Sequence, residues 1–242
     1  MIVWGPGFIA SKHRHHCVQL VMALQGKLRV RSGPGRKWIS CGAALIRPDA
    51  SHEVDATDVQ LLLAFVDTES ELGAALLQKI ESNITVVPGA TVSLWRHHLG
   101  DPATVTATRV EPWVRNQLLS DRRARNLHPA VRRVLRIMRN EIGTRDQFSL
   151  EQAAQIAGLS PSRMMHVFTK SVGVPLRPYI LWLRLQMACG EMMNGVSIAD
   201  AAQRAGFSDS SHLNRTLRKM LGMTPGELLQ RRAVTGSAFV SE

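Results

Sequence analysis

The 242 residues carry 30 Lys and Arg against 19 Asp and Glu, a formal charge of +11, and 45% of them are hydrophobic. Such a chain suits one large or two small soluble domains and excludes a disordered tail protein. The longest apolar run, Leu61 to Val66, falls far short of the roughly 18 residues of a membrane span, Met1 to Ala10 lacks a signal peptide's basic start and apolar stretch, and three cysteines without C-x-x-C spacing indicate neither a disulfide framework nor a zinc ribbon, so a reduced, cytoplasmic protein is expected.

Charge is unevenly placed. Residues 1–114 hold 11 Lys and Arg against 10 Asp and Glu, a net of +1, whereas 115–242 hold 19 against 9, a net of +10. From Arg115 to Arg139 the only acid is Asp121. A solvated basic face is one reading of such a run; a polyanionic partner, nucleic acid first, is the other.

In chain order, residues 1–67 read as short strands between turns. Val18 to Leu24 is a β-branched and apolar run, Lys27 to Arg31 alternates with period two, and shorter runs follow at Lys37–Ser40, Ala43–Arg47 and Val59–Val66. Closely spaced strands of this kind predict a β-barrel or sandwich. Residues 68–126 form a helical connector: Leu72, Leu76, Leu77 and Ile80 have helical spacing, Asn83 to Gly100 is ambiguous, and Asp101-Pro102 looks like a cap before a helix that continues, interrupted near Pro112, to Leu119. The linker falls at Ser120–Asn126. Pro129 opens a helix with the stripe Val131, Val134, Leu135, Met138 and Ile142, ended by Gly143.

Beyond residue 145 the chain repeats itself. Ser149-x-x-Gln152 and Ser197-x-x-Asp200 are both capping-box-like starts, and the same 48-residue offset relates Ala154 to Ala202, Gly158 to Gly206 and Ser160 to Ser208. Two helix-turn-helix units over 127–232 are implied, with 233–242 as a tail. In the second helix of the first unit Met164, Val167 and Phe168 face inward and Ser162, Arg163, His166 and Lys170 outward. In the second unit Leu213, Leu217 and Met220 are inward, leaving Ser211, His212, Asn214, Arg215 and Arg218 outward or flanking. Short polar and long basic side chains of this kind read base edges and bind phosphates in a major groove; two hairpins with ordinary solvated faces are the plainer alternative. Leu176 to Met193 reads as one long helix of about 25 Å between the units. It could hold two recognition helices about one duplex turn, near 34 Å, apart.

The segment from about Pro129 to Arg232 resembles the DNA-binding domain of the AraC/XylS family of transcriptional regulators. The resemblance rests on Ser197 to Ala202, Gly206 to Arg215 and Gly222-Met223-Thr224-Pro225, and in the first unit on Leu159 to Ser162, Phe168, Gly173, Tyr179, Arg184 and Ala188. Leu213 and Leu217 stand where phenylalanine is commoner, Pro175-Leu176 departs from the usual Ser/Thr-Pro, and Ser162 and Met165 replace bulkier or more polar readers. The resemblance implies a sequence-specific DNA-binding regulator. Its double-stranded DNA contacts are expected from the residues above together with Ser210, with Arg184 and Arg218 on phosphates and Arg215 as the principal base reader. It also implies RNA polymerase as a protein partner and a homodimer as one assembly, and it leaves the operator and the sense of regulation open.

Many such regulators carry a small cupin-like β-barrel first, and His13-x-His15-x-x-x-Gln19 before Gly26 resembles the first cupin motif, with Gly42, Pro48 and His52 at the spacing of the second. The expected fold class is therefore α+β: a small cupin-like barrel or sandwich, then an all-α domain with two helix-turn-helix units joined by a long helix. In a cupin enzyme His13, His15, a carboxylate and His52 would hold a metal; Gln19 occupies the carboxylate position, which argues against iron or manganese catalysis. A degenerate barrel that binds a small-molecule effector, or nothing, is expected, with no cofactor. Imidazole and thiolate in His13 to Cys17 also suit zinc or copper, against the plainer reading of a histidine patch. A cupin-type oxygenase or isomerase with a DNA-binding appendage is the rival function, but no catalytic triad, phosphate loop or paired carboxylates at a motif spacing supports it.

Overall fold

The structure is a computed structural model that describes residues 1–33, 35–118, 127–141 and 148–234. The expected linker at Ser120–Asn126, the helix end at Ile142-Gly143 and most of the expected tail lie outside the described residues. The chain divides into two compact units, Met1–Ala124 with Asn214–Glu242, and Arg125–Leu213.

Among the described residues of the first unit, ten antiparallel strands form two sheets. They are β1 (Ile2–Pro6), β2 (Ile9–His13), β3 (Val18–Ala23), β4 (Leu28–Arg31), β5 (Ile39–Cys41), β6 (Ala43–Ile46), β7 (His52–Asp55), β8 (Gln60–Val66), β9 (Ile84–Val86) and β10 (Arg232–Val234). One sheet has the order β10-β1-β8-β3-β6-β9, the other β2-β7-β4-β5. The run Val18 to Ala23 is buried at every position because β3 is covered on both faces. Val18, Leu20 and Met22 join a core with Trp4, Leu62, Ala64, Leu72, Leu76, Trp95 and Trp113. Gln19 and Val21, by strand alternation, point the other way, between the sheets.

The helices on that first face are α1 (Glu71–Gln78), α2 (Gly89–Leu99) and α3 (Ala107–Trp113). Ser70 caps α1, its Oγ accepting the N–H of Gly73 at 3.0 Å. The ambiguous stretch Asn83 to Gly100 resolves into β9 and α2, and Asp101 caps a single 3-10 turn, Pro102–Thr104, its Oδ1 accepting from Ala103 N at 3.0 Å. Pro112 lies inside α3, and the backbone continues from Val114 to Leu118 in π-helical register. That change of register after a missing donor is the interruption expected there.

Two further expectations are refined. The strands β1, β2, β7 and β9 are additional to the runs singled out from sequence. Residues Ala233 and Val234, placed in the tail, belong to β10, which pairs with β1 in the register Ile2↔Val234 to Trp4↔Arg232.

The second unit contains α4 (Pro129–Glu141), α5 (Leu150–Ala157), α6 (Pro161–Val172), α7 (Leu176–Met193), α8 (Ile198–Arg204) and the start of α9 (Ser210–Leu221); α10 (Pro225–Leu229) follows. Val131, Val134, Leu135, Met138, Ala153, Ala154, Met164, Phe168, Leu176, Tyr179, Ile180 and Leu183 make its core. The long helix α7 spans the expected residues, but it is buried on two sides. Tyr179 and Leu183 enter that core, while Trp182, Leu185, Cys189 and Met192 lie round the helix from it and α7 also packs on α8.

Candidate functional site

The repeat is realised in local chemistry. In the first unit Gln152 N donates to Ser149 Oγ at 3.2 Å and Ser149 N donates to Gln152 Oε1 at 2.9 Å, a complete capping box. Helix α5 then ends on Gly158, at φ 66° and ψ 36°. Ser160 caps α6 by accepting the N–H of Arg163 at 3.3 Å, and Pro161 takes the first position, where its missing N–H is not needed. With Met164, Phe168 and Val172 buried, Ser162, Arg163, His166 and Lys170 are all exposed, as the periodicity predicts. Met165 adds an apolar side chain, 49% exposed, to the same surface.

The second unit copies the frame with different details. Ser197 Oγ accepts the N–H of Asp200 at 3.1 Å, but the Asp200 carboxylate accepts from the Ser197 hydroxyl at 2.6 Å rather than completing a box. Gly206 takes φ 76° at the turn, and Asp209 caps α9 through His212 N at 2.7 Å. On α9, Leu213 and Leu217 are buried, while Ser210, Ser211, Arg215 and Arg218 are exposed. Ser211, Arg215 and Arg218, spaced four and three residues apart, share one face.

Three expected DNA contacts, His212, Asn214 and Arg184, are only half-exposed. His212 is half-buried, edge-on to Phe207 at 5.1 Å, with Nδ1 3.3 Å from the Ser208 hydroxyl. Asn214 is half-buried too, its Oδ1 enclosed with no partner among the described residues. Arg184 Nη1 donates to Gly206 O at 3.2 Å, and burial lowers its pKa from the usual arginine value. That guanidinium braces the turn of the second unit. The α7 pattern gave no sign of it, because the contact closes across 22 residues.

A second cluster forms between the sheets of the first unit. His13 ends β2 and lies opposite His52 at the start of β7, and a register shift between Ala10 and His13 bends β2 there. His15 follows in the loop to β3, its ring 5.1 Å from His52 and 5.4 Å edge-on to Phe65. All three are buried, at 4%, 2% and 0% exposure for His13, His15 and His52. Each Nδ1 lies near a backbone carbonyl: His13 and Ser11 O at 2.7 Å, His15 and Cys17 O at 3.1 Å, His52 and Ala50 O at 2.9 Å. For His13 and His52 such a bond puts the proton on Nδ1 and leaves Nε2 an acceptor. His15 Nε2 lies 3.0 Å from Gln19 Oε1, also an acceptor, so the single ring proton of a neutral His15 serves either that oxygen or Cys17 O, whereas Nε2 of His13 and of His52 are buried without a partner among the described residues.

Burial pushes the His13 imidazole down to about 3, with His15 adding to it; burial likewise lowers His15, and lowers His52 well below the ordinary range, with His13 and His15 contributing. One ring nitrogen from each lies within 4.8 Å of those of the other two. His16, in the same run, turns aside to the Asp49 carboxylate at 2.9 Å. The pairing of His13 with His52 joins residues 39 apart in sequence, so spacing alone suggested the set without bringing it together.

Comparison with known proteins gives a consistent pattern. A family profile described as "Helix-turn-helix domain" matches residues 153–231. YpdC, an uncharacterized HTH-type transcriptional regulator of Escherichia coli K12, is 32% identical over 82 residues, 34% of this chain and 29% of that protein. RipA, an HTH-type transcriptional regulator of Corynebacterium glutamicum, is 32% identical over 93 residues, 38% of this chain and 28% of that protein. The transcriptional activator NphR of Rhodococcus sp is 31% identical over 106 residues, 43% and 31% of the two chains. The matched segment thus spans less than a third of each relative. Over nearly the whole chain the fold resembles ToxT of Vibrio cholerae: two of its crystal structures align with TM-scores of 0.55 and 0.58 at 9% and 10% identity, covering 95% and 98% of this chain and 96% and 97% of theirs. At that identity the likeness is one of fold.

Proposed function

We propose that this chain, whose C-terminal part is a helix-turn-helix domain of the AraC/XylS family, is a sequence-specific DNA-binding transcriptional regulator whose two-sheet domain receives an effector. The observation that carries the reading is the pair of capped recognition helices. Helix α6 displays Ser162, Arg163, His166 and Lys170, and α9 displays Ser211, Arg215 and Arg218, in a half-chain of net charge +10. Basic side chains there neutralise phosphates and release counterions, while arginine's planar fork matches the O6 and N7 acceptors of guanine.

ToxT, with the same two-part fold, has been crystallised with an unsaturated fatty acid bound, which supports a ligand-receiving role for the two-sheet domain. NphR is named an activator, and the proposal follows it: activation at promoters with RNA polymerase as partner, by a cytoplasmic protein that can pair as a homodimer and is not an enzyme. Among the described residues no helix is long and apolar enough to cross a membrane.

Selection of sequences bound by the full chain from random duplex DNA tests the reading. One enriched site is expected, with affinity that falls steeply as salt rises. Recovery of unselected sequences would reduce α6 and α9 to ordinary solvated helices.

A further inference from the structure

We propose that His13, His15 and His52 form a site for a divalent transition-metal ion, zinc by preference, and that this ion is the effector the two-sheet domain reports to α9. The second clause rests on the regulator reading above; the first stands on the cluster alone.

The donor set fits such an ion. Metal-bound histidines commonly donate the second ring N–H to a backbone carbonyl, which fixes the tautomer and aims the other nitrogen at the metal. Here all three Nδ1 atoms sit on carbonyls, at 2.7, 3.1 and 2.9 Å. Two of the remaining nitrogens, Nε2 of His13 and His52, are buried and unpartnered among the described residues. An acceptor buried without a donor is unfavourable, and these two, on neighbouring rings, share the need of a partner. A cation supplies one.

Metal identity follows from the ligands. Three imidazoles with an open fourth position are a known zinc arrangement, and imidazole also suits copper and nickel. Gln19, whose Oε1 lies 3.0 Å from His15 Nε2, presents a neutral amide where a carboxylate would have supplied negative charge. A neutral set of this kind disfavours the harder ions, manganese and magnesium, which look for carboxylates. Around a tetrahedral ion with bonds of 2.0–2.1 Å the nitrogens would stand about 3.3 Å apart. One ring nitrogen from each lies within 4.8 Å of the other two, so binding has to draw the rings closer together.

The signal has a route. Gly222, the residue after α9, takes φ 69°, and a Cβ there would lie 2.6 Å from His13 Nδ1 and 3.0 Å from Ala10 Cβ. The backbone at the end of α9 thus rests directly on a ligand ring. Arg14 N, beside that ligand, donates to Lys219 O in the last turn of α9 at 3.5 Å. Rotating His13 onto a metal ion therefore moves a contact that bears on the helix carrying Arg215 and Arg218.

The full chain, stripped of metal with a chelator, is titrated with Zn2+ against a chromophoric competitor, and Co2+ is used separately as a visible-absorption probe of the ligands. One ion per chain is expected. Its affinity should fall by about 100-fold or more in His52→Gln and in His15→Gln, with zinc-free variants matching the zinc-free parent in circular dichroism. Should either variant fail to fold, the Co2+ spectrum of the parent still reports whether imidazole nitrogens bind. No stoichiometric binding at micromolar Zn2+, or equal binding by the folded variants, overturns the site. DNA affinity for the selected sequence, measured with and without Zn2+, should differ by about fivefold or more in the parent and not in His52→Gln. Equal DNA affinity with the ion bound overturns the effector role. Binding of Zn2+ with no selected DNA sequence would instead count against the regulator reading and leave the metal site standing.

Discussion

The two helix-turn-helix units share a 48-residue repeat and differ in almost everything built on it. The first has a complete capping box at Ser149 and Gln152, an open turn at Gly158, and a recognition helix with a serine, an arginine, a histidine, a lysine and an exposed methionine. In the second the cap is shorter, the turn is braced by Arg184, and the recognition helix shows two arginines in line with Ser211 and ends against His13. Local backbone chemistry is what the repeat preserves. The displayed side chains and the tertiary braces are what it leaves free, and those are the parts that decide which bases are read and what reports to the reader.

If the two helices read separate bases, their arginines should behave independently. Arg215→Ala and Arg163→Ala are each expected to weaken binding to the selected site by about 1–3 kcal/mol and to relax discrimination at one base position, a different one for each. Because the two side chains stand on different helices, the double variant should be additive within about 0.5 kcal/mol. Binding to non-specific DNA should change little. A lowered melting temperature with uniformly weakened binding would instead mark either arginine as structural.

The turns offer a second contrast, in stability. Gly158 and Gly206 both have positive φ, at 66° and 76°, where any side chain is strained. A Cβ on Gly158 meets nothing within 4 Å, whereas one on Gly206 would come within 3.2 Å of Arg184 Nε and 3.3 Å of its Cζ. Gly158→Ala should therefore cost about 1 kcal/mol and Gly206→Ala about 2 kcal/mol, the excess coming from displaced guanidinium. Arg184→Ala should cost about 1 kcal/mol, the net worth of one hydrogen bond to a carbonyl that water can reach. It should also leave the slope of DNA affinity against salt unchanged. A phosphate contact, the role expected from sequence, would reduce that slope by about one. Urea unfolding and salt titration of the same three variants separate these outcomes.

What the sequence made legible follows the same division. Caps, turn glycines and the inward stripes of α6 and α9 are set within four or five residues, and Ser149, Gly158, Ser197 and Gly206 stand where their spacing put them. The strand run Val18 to Ala23 was readable because burial on both faces writes a continuous apolar stretch. By contrast β2 and β7 are short, with polar residues such as Lys12 and Glu53; β2 lacks a regular alternation and the four residues of β7 are too few to make one stand out. What defines them is pairing with each other, which brings His13 opposite His52. The Arg184 brace and the seat of Gly222 on His13 are likewise tertiary, and a side chain's type says nothing about such a partner until the fold has formed.

The smallest expected effect tests the cap itself. Gln152 reaches back to the N–H of Ser149, but Asp200, one methylene shorter, bonds the Ser197 hydroxyl instead. Helix α10 shows what the longer acid does in the same position: Glu227 Oε2 accepts from Thr224 N at 2.6 Å and from Thr224 Oγ1 at 2.8 Å, while Thr224 Oγ1 accepts the N–H of Glu227 at 3.2 Å. Asp200→Glu should let the second unit complete its box and keep the negative charge in the first turn of α8, where the helix dipole favours it. A gain of about 0.5 kcal/mol is expected, seen as a higher urea midpoint with an unchanged slope. DNA affinity should stay as it was, since the change lies at the far end of α8 from the turn that leads into α9. A loss of stability would mean that the short bond between Asp200 and the Ser197 hydroxyl is worth more than the reciprocal cap, and that the two units have diverged in their backbone chemistry as well as in the side chains they display.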